Sequence, residues 1–446
     1  DGQSLGPASF GVTKNGIWTP IDTSGLTFGT NGFHLTFKDD VISEGFNTVT
    51  YIGTGAAHSV SGVGFDPAFI WVKSRSNADP HELIDTVRGS TKRLRSSATN
   101  AENTASSGDG FASFDADGFT LNSDGGGGQV NGSGRTYVAW AWEAGGAPTA
   151  TNSAGAGATP TAGSVKIDGS NLGSALAGSI AATKLSANTA RGFSMVTYTG
   201  TGSNATVAHG LSSAPKMYWV RGLSGGGDFK VYAEETGNTT QGFLNYPAAF
   251  AGSATTLWNS TSPTSTVFSI GTNSNVNTSS ATYIAYCFTD VTGYCKIGSY
   301  TGNANSSGPT VSLGFEPAWL LVKNTEASEN WYIWDNTREP FPAEKNARLH
   351  PNLSVVEQTS TGRSITFSSS GFQVTGSDTS VNASGQKHLY MAFADTREAA
   401  FFKDVSGQGN HCTPINLDYR DSVPDVPTNN FCTWNPLYNK STYGGH

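Results

Sequence analysis

The residues that come nearest to a metal-binding pattern lie in the stretch FDADGFTLNSD. Asp115, Asp117 and Asp124 supply carboxylates at spacings that resemble a Ca²⁺-binding loop, in which oxygen ligands stand at alternate positions. Residues 368–378, SSSGFQVTGSD, follow the same pattern with serine in place of the first two acids, and keep only Asp378. Because the turn persists where the carboxylates do not, we interpret both stretches as hairpin turns and expect no metal.

No arrangement for covalent or acid–base catalysis is complete in the sequence. The eight histidines are scattered without an HExxH motif, and no GxSxG elbow is accompanied by a histidine and an acid in α/β order. His209 occupies a slot that is apolar in related stretches, so we expect a core histidine. Asp66 and Glu316 each precede a proline and are interpreted as turn residues. Glycosidase carboxylates pair in space rather than in sequence, so the sequence does not exclude them. We predict no catalytic residue and no cofactor.

Aromatic side chains are the best candidates for ligand binding. Trp331, Tyr332 and Trp334 lie in NWYIWDN, and Trp258 lies near a turn. Flat rings can stack on the apolar faces of sugars. The alternative is that strand alternation sends Tyr332 and Trp334 into a core.

An aspartate three residues before an arginine occurs twice, in IDTVR (84–88) and WDNTR (334–338). We favour an internal Asp–Arg tie over a ligand contact.

These residues sit within a unit that the chain contains three times. The copies open with VTYIGTG, VTYTGTG and GSYTGNA, and close with YVAWAWE, YIAYCFTD and LYMAFADT. In the three copies, a Pro follows the opening Tyr by 16, 17 and 17 residues. The closing Tyr follows the opening Tyr by 86, 85 and 90 residues. The residues concerned are Tyr51, Pro67 and Tyr137; Tyr198, Pro215 and Tyr283; and Tyr300, Pro317 and Tyr390. A unit of this length matches a small domain rather than a solenoid rung.

Each copy is predicted to be a β-sandwich. The closing strands are apolar on both faces, which indicates central strands covered on both sides, and Gly, Asn and Ser turns separate the strands. A Val-Asn pair precedes each closing strand. The fold class is therefore all-β, with three tandem antiparallel sandwiches of about 100 residues and a small β unit formed by the two chain ends. The predicted boundaries are 1–45 (N-terminal flanking segment), 46–145, 193–291 and 292–397 (repeats), 146–192 (Gly/Ala/Ser/Thr-rich linker with a short helix after 172) and 398–446 (C-terminal flanking segment). We expect a loose joint between the first and second repeats, and we expect the second and third repeats to form a stiff pair.

Composition excludes several classes of protein. Asp, Glu, Lys and Arg make up only 13% of the chain, the net charge is −8, and no basic patch exists for nucleic acid. No apolar run is long enough for a membrane span. The chain begins with Asp1 and without a signal peptide, so we expect a processed product or a fragment. Cys287 and Cys295 match apolar positions of the other repeats and are expected to be buried and free. The states of Cys412 and Cys432 stay open.

The chain ends resemble segments of virion appendage proteins of marine tailed phages. The matches are DGQSLGPASFG (1–11), TNGFHLTFKD (30–39), KDVSGQGNHCTPINL (403–417) and DVPTNNFCTWNPL (425–437). In those tail fibre-like proteins such segments accompany laminin-G/concanavalin-like lectin sandwiches, and a β domain similar to the present repeats lies between them. The lectin sandwich that usually precedes DGQ is absent here, which suggests a longer parent chain.

The resemblance implies a non-enzymatic virion structural or adhesion protein, located on the extracellular virion. Its expected partners are other virion proteins, further copies of itself (a homo-oligomer, with a trimer as first candidate) and host surface polysaccharide, and not nucleic acid or membrane. Two alternatives remain, a bacterial or environmental extracellular filament or surface protein and a tailspike-type polysaccharide depolymerase.

Overall fold

The structure, a computed structural model, confirms the all-β class. It describes residues 6–14, 17–21, 26–27, 29–34, 41–105, 110–124, 127–252, 255–340, 342–399, 410, 412 and 415. Within these residues each α-helix has a single turn: Thr255–Trp258, Ser274–Asn277 and Thr379–Asn382. The 3₁₀ turns are Pro7–Ser9, Glu234–Thr236 and Thr361–Arg363. None of these described helices is long and apolar enough to cross a membrane.

The chain forms two compact units, of which the smaller consists of residues 1–43 and 397–446. In its described part, strands Gly11–Lys14 and Ile17–Pro20 form a hairpin, and Val41–Ile42 pairs with Glu398–Ala399. Asn410 Nδ2 donates to the carbonyls of Thr30 and Gly32, both at 2.8 Å. The DGQ motif, almost all of residues 403–417, all of residues 425–437 and Cys432 lie outside the described residues.

The larger unit, Glu44–Thr396, contains the three repeats. Each repeat has an inner antiparallel sheet in the order opening, closing, third and fourth strand. The opening strands are Phe46–Ile52, Phe193–Thr199 and Cys295–Thr301, and the closing strands are Thr136–Trp142, Thr282–Phe288 and Lys387–Ala394. The third strands are Phe69–Ser74, Met217–Gly222 and Pro317–Asn324, and the fourth strands are Glu82–Asp85, Lys230–Ala233 and Trp331–Asp335.

A smaller outer sheet covers one face of each inner sheet and makes the repeat a sandwich. In the first repeat its strands are His58–Ser61, Phe111–Asp115 and Gly118–Leu121; in the second, Ala205–Ala208 and Val267–Ile270; in the third, Thr310–Ser312, Glu344–Lys345, Ile365–Ser368 and Gly371–Val374. The remaining short pairs are Lys92–Arg93 with Asn103–Thr104, and Ala347–Arg348 with Gln358–Thr359. Each sandwich encloses an apolar core of its own.

The residues that recur in the sequence lock each sandwich. The opening Tyr donates its hydroxyl to the valine carbonyl of the Val-Asn pair: Tyr51 to Val130 at 2.7 Å, Tyr198 to Val276 at 2.8 Å and Tyr300 to Val381 at 2.7 Å. The following asparagine, fully buried, accepts from the backbone N–H of Thr54, Thr201 or Asn303. The motif glycine (Gly53, Gly200 or Gly302) lies so close to a facing carbonyl that a Cβ would come within 2.3 Å of it. The motifs are thus structural.

Strand register corrects the alignment of the third closing strand. Tyr300 pairs with His388, as Tyr51 pairs with Tyr137 and Tyr198 with Tyr283. The two rings stack in every repeat, with centroids 5.0, 5.3 and 5.0 Å apart. His388 therefore takes the place of the closing Tyr, and Tyr390 lies two residues beyond it.

The segment predicted as a linker is largely built into a sheet. Val165–Ile167, Ser170–Asn171 and Ala182–Asn188 are strands, and the last of these pairs with the opening strand of the second repeat. With Thr240–Phe243 and Ala251–Gly252 at the other edge, they extend the inner sheet of that repeat to nine strands. The predicted helix is wrong, because Leu185 and Ala187 alternate with polar residues and bury their side chains as a strand does.

The three repeats share one further apolar core, which corrects the expectation of separate sandwiches with a loose joint after the first. The free faces of the inner sheets pack together, so these sheets are buried on both sides. The largest contributors are Trp71, Trp140 and Trp142 from the first repeat, Trp219, Tyr286 and Phe288 from the second, and Trp319, Trp331 and Phe393 from the third. Rings meet between all three pairs of repeats: Trp71 with Trp219 (5.8 Å), Phe288 with Phe393 (6.3 Å) and Phe46 with Phe393 (5.0 Å).

Backbone hydrogen bonds connect the repeats in a closed cycle. The segment after the fourth strand of each repeat reaches the residue after the third strand of the next: Glu102 N to Leu223 O (3.0 Å), Phe250 N to Thr325 O (2.8 Å) and Glu357 N to Arg75 O (2.9 Å). The last bond runs from the third repeat back to the first. The ends of the unit also meet, since Glu44 N donates to Thr396 Oγ1 at 3.1 Å. The repeats therefore form a ring within one chain.

Buried side-chain pairs close two of the three interfaces. Tyr286 of the second repeat donates its hydroxyl to Asp85 of the first at 2.8 Å, and Trp140 of the first donates Nε1 to Asp335 of the third at 3.0 Å. Each aspartate also receives the guanidinium of the arginine three residues on, at 2.6 Å. At the third interface Met391 and Ala233 occupy the corresponding positions, and both are buried in the shared core.

We predict that Asp85→Ala lowers the free energy of unfolding by about 3–5 kcal/mol, because it leaves the buried Arg88 guanidinium without its closest counter-charge and the Tyr286 hydroxyl without its acceptor. Urea unfolding followed by tryptophan fluorescence measures this. The control is Lys216→Ala, which breaks the solvent-exposed ion pair with Glu234 and should cost less than about 1 kcal/mol. Equal effects of the two substitutions would contradict the assignment of Asp85 to the interface.

Candidate functional site

The four aromatic residues predicted to bind ligand are all buried, so that prediction is wrong. Trp258, Trp331 and Trp334 have no exposed surface and Tyr332 is 2% exposed. The strand that carries three of them is covered on both faces: Tyr332 and Trp334 stack in the core of the third sandwich, and Trp331 enters the shared core. Trp331 Nε1 donates to Phe243 O at 2.7 Å and Trp258 Nε1 to Thr240 O at 2.9 Å, so both rings serve packing.

The acids that resembled a Ca²⁺ loop hold turns. Asp117 accepts from the N–H groups of Gly62 (3.1 Å) and Gly64 (2.6 Å), and Asp115 accepts from the hydroxyls of Ser113 and Thr120. Among the described residues, no group of three or more His, Cys, Asp or Glu side chains is arranged to hold a metal ion.

Three equivalent cations lie buried near the end of each third strand: Lys73, Arg221 and Lys323. They donate to backbone carbonyls, and in two cases to the segment arriving from the preceding repeat, as in Lys323 Nζ to Pro247 O (3.2 Å) and Arg221 to Asn100 O. Burial lowers the pKa of Lys73 to about 8 and that of Lys323 to about 7. Both amines are enclosed and donate to backbone carbonyls, and Lys323, like Arg221, joins its repeat to the preceding one.

The buried thiols are equally unsuited to chemistry. Cys287 and Cys295 are free and enclosed, as expected from their repeat positions, and burial raises the pKa of the Cys295 thiol well above its ordinary value. A thiolate, the reactive form, is therefore disfavoured. Cys412 is exposed.

A cleft of about 740 Å³ opens on the first repeat. One wall comes from that repeat and includes Asp66, Ser90 and Phe114. The opposite wall is formed by the chain as it leaves the closing strand (Glu143 to Ala147) and by the turn at Asp168 and Gly169. The added strands described above thus create the second wall. We take this cleft as the candidate functional site.

Two carboxyl groups of the cleft, Asp66 and Glu143, have no hydrogen bond or ion pair with any described residue. Asp66 is exposed at the surface, yet partial desolvation of its carboxyl group, and then the charge of Asp115, raise its pKa. Burial raises the pKa of Glu143; the charge of Arg191 opposes this, and the charges of Glu44 and Asp66 add to it. Arg191 itself is paired with Glu44 at 2.6 Å. The third acid, Asp168, is satisfied by the N–H and hydroxyl of Thr189 at 2.7 and 2.6 Å.

The other repeats show which residues the fold accepts at the positions of Asp66 and Glu143. In the second repeat the equivalent residues are Ala214 and Thr289, and Thr289 Oγ1 donates to Ala214 O at 3.0 Å. The two positions are therefore neighbours. In the third repeat they are Glu316 and Ala394. Only the first repeat places an acid at both, so the carboxylate pair is not needed for the sandwich.

Sequence reasoning missed this site for identifiable reasons. It assigned Asp66 to a turn and the residues after 145 to a linker, and it gave Glu143 no role. One signal in the sequence could have indicated the site. The residue directly after the closing strand is Glu143 in the first repeat but Thr289 in the second, so the acid is not a feature of every repeat.

Comparison with known proteins places most of the chain in one family. The sequence model of a domain of unknown function, DUF7483, matches residues 42–165 and 166–397. No curated protein matches the chain.

We predict that Trp331→Phe lowers the free energy of unfolding by about 1–2 kcal/mol beyond the loss caused by Trp334→Phe, because only Trp331 loses a hydrogen bond. Trp334 Nε1 has no partner among the described residues, which makes it the matched control. Thermal unfolding measures the difference. Retention of stability by Trp331→Phe together with weaker glycan binding would restore the ligand-binding role.

We also predict that stability falls between pH 7 and pH 5. Burial lowers the pKa of His209 and of His350 to about 4, and that of His81 and His388 below their ordinary value. Since the unfolded chain binds these protons near pH 6.5 and the folded chain does not, stability is full above that pH and decreases as the pH falls towards 4. His209 and His350 each contribute a loss of roughly 2 kcal/mol at pH 5.

Urea unfolding at both pH values measures this loss. His209→Gln should reduce the pH dependence, because it removes one of the histidines whose pKa is lowered by burial. A free energy of unfolding that is the same at pH 7 and pH 5 would contradict the prediction.

Proposed function

We propose that the chain, which belongs to the DUF7483 family of domains of unknown function, is a non-enzymatic virion structural or adhesion protein. It would present its β-sandwich modules to a host surface or glycan. The location proposed is the extracellular virion, on a tail fibre or capsid appendage. The proposal rests on the resemblance of the chain ends and repeats to such proteins, and the ring architecture supports it.

The observation that carries the proposal is how the buried charged groups are used. Two of the three buried cations, Arg221 and Lys323, bind carbonyls of the preceding repeat, and the aspartate of each Asp–Arg pair accepts a hydrogen bond from an aromatic side chain of another repeat. Catalytic groups, in contrast, converge on a substrate site with their reactive atoms accessible. A scaffold in which buried charged groups hold neighbouring repeats together suits binding through its surface.

The ring also bears on the expected partners. Three sandwiches already surround one core within a single chain, so threefold packing of these modules does not require three chains. Assembly with further copies and with other virion proteins stays a prediction, as does attachment to host polysaccharide. The repeats form a ring rather than a row of separate sandwiches.

One observation favours the depolymerase alternative. Asp66 and Glu143 are neighbouring carboxyl groups in a cleft, and glycoside hydrolysis uses two carboxyl groups, one of which needs a raised pKa. Neither is oriented by a hydrogen bond from a described residue, whereas a catalytic acid is normally held in place by its neighbours.

We predict that the purified chain binds host surface polysaccharide and does not shorten it. Cosedimentation with the polysaccharide measures binding, and size-exclusion chromatography of the supernatant over hours measures release of oligosaccharides. Steady release that stops in Glu143→Gln would establish the depolymerase. Assembly into filaments by the chain alone, without glycan binding, would favour the extracellular filament alternative.

A further inference from the structure

The interface between the third and the first repeat differs from the other two because the ring has no connecting segment there. Residues 143–192 connect the first repeat to the second, and residues 289–294 connect the second to the third. At the third interface, which we call the seam, the ends of the ring meet through two hydrogen bonds of 3.1 Å between Glu44 and Thr396. The seam is therefore the interface that can open without stretching the chain.

The opposite end of the seam is held by polar contacts. The third strand of the first repeat begins beside the Glu44 end, where Phe69 pairs with Trp142, and it ends just before Arg75. There, Glu357 N donates to Arg75 O at 2.9 Å, and the two side chains form an ion pair at 2.8 Å. Separation at this end exposes charged groups to water first, which makes it the easier end to open.

His81, directly before the fourth strand of the first repeat, is fully buried at this end of the seam. Its Nδ1 accepts a hydrogen bond from Trp71 Nε1 at 2.8 Å, so Nδ1 carries no proton and the ring is neutral with its proton on Nε2. Carbonyl oxygens of His350 and Leu353, in the third repeat, lie beside the ring. A second proton would set an Nδ1–H donor against the Trp71 donor and break that hydrogen bond.

The surroundings of His81 disfavour its charged form. Burial is the largest effect, and the positive charges of Lys73 and His350 act in the same sense. The carbonyl oxygens of His350 and Leu353 oppose both effects without outweighing them. A protonated His81 in the closed ring is therefore a buried cation facing other cations.

The nearby carboxylates are bound by other groups. Glu82 points to the other face of the sheet, where Arg95 donates to it at 2.9 Å. Across the seam, Glu357 accepts from the guanidinium groups of Arg75 and Arg338, each at 2.8 Å. Neither carboxylate supplies a counter-charge to the His81 ring.

The other repeats show that the fold does not need a histidine at this position. Strand register sets His81 against Phe229 in the second repeat and Trp331 in the third. Both of these rings are buried in the shared core. The position requires a large ring, and only the first repeat makes that ring titratable.

We propose that His81 is an acid sensor of the seam: uptake of a second proton from solvent opens the interface from its Arg75–Glu357 end. The hydrogen bonds between Glu44 and Thr396 act as the hinge, and the three sandwiches stay folded. This conformational response goes beyond the proposed function and does not depend on which ligand the chain binds.

The proton balance gives the direction and the size of the effect. Burial holds the pKa of His81 well below its ordinary value in the closed ring, and exposure on opening returns it to about 6.5. Between pH 7 and pH 5 the open form takes up a proton that the closed form does not. The ratio of open to closed ring therefore rises as the pH falls, by up to about 25-fold.

Hydrogen–deuterium exchange of the full chain at pH 7 and pH 5, followed by mass spectrometry, tests the proposal. Three equivalent amides report on the three interfaces: Glu357 on the seam, and Glu102 and Phe250 on the other two. After correction for the intrinsic exchange rate at each pH, we expect the peptide with Glu357 to exchange up to about 25-fold faster at pH 5. The peptides with Glu102 and Phe250 should not change. An unchanged Glu357 peptide, or the same increase in all three, would overturn the proposal.

The variant for this experiment is His81→Phe, which installs the residue that the second repeat holds at the equivalent position. We expect its Glu357 peptide to exchange at the same corrected rate at both pH values. His209→Gln is the matched control, because His209 is also buried but bonds to Thr264 and Leu211 within the second repeat. It should keep the acid response of the seam. An acid response that persists in His81→Phe would show that His81 is not the sensor.

A covalent staple gives a second test that holds even if His81→Phe does not fold. The hydroxyls of Ser97 and Ser354 lie 3.4 Å apart across the seam, so Ser97→Cys with Ser354→Cys places two thiols there. The oxidised double variant should show no acid response in the Glu357 peptide, and reduction should restore it. A response that survives oxidation would mean that the seam does not open, and the proposal would fall.

Discussion

The closed packing of three inner sheets on one aromatic core is the constraint on which the rest of this structure depends. A sheet covered on one face by its own sandwich has a second face that must be covered by something else. Here each repeat supplies that cover to the other two, and Trp142, Trp219 and Trp319 meet in one core. Burial of large aromatic side chains is the main driving force available to a chain in which only 13% of residues are charged.

Such a core constrains what may change at the interfaces. The polar pairs Tyr286–Asp85 and Trp140–Asp335 are each complete, and at the third interface both partners are apolar, as Met391 and Ala233. A buried donor left without its acceptor costs about 1–3 kcal/mol, whereas replacing both partners together is nearly neutral. The pattern across the three interfaces agrees with that asymmetry, because none of these pairs keeps a polar group on one side alone.

The sequence allowed the sandwich to be predicted but not the ring. Tyr51, Asn131 and Gly53 recur because each acts within its own repeat, so their spacing reports a local structure. The closing strand, with Trp140 and Trp142 on one face, correctly indicated cover on both sides, yet periodicity cannot identify the covering surface. The register of the third closing strand was misjudged because His388 stacks on Tyr300 as a tyrosine does. The strands after 145 were missed because Gly and Ala are poor indicators of a strand whose stability comes from its neighbours.

The packing of the repeats explains why the candidate site could not be predicted from the sequence and why it lies beside the first repeat. An aromatic residue is useful to a ligand only if the fold leaves it exposed, and all four that were predicted to bind are buried. Trp331 lies in the shared core, Tyr332 and Trp334 in the core of the third sandwich, and Trp258 in that of the second. A position repeated three times must serve the sandwich in all three copies, which leaves little freedom for a separate role. That freedom arises between the first and second repeats, where the added strands help to form the cleft. Asp66 lies on one wall of that cleft and Glu143 on the other, and the second repeat, with Ala214 and Thr289 in their places, shows that the scaffold does not need their charge.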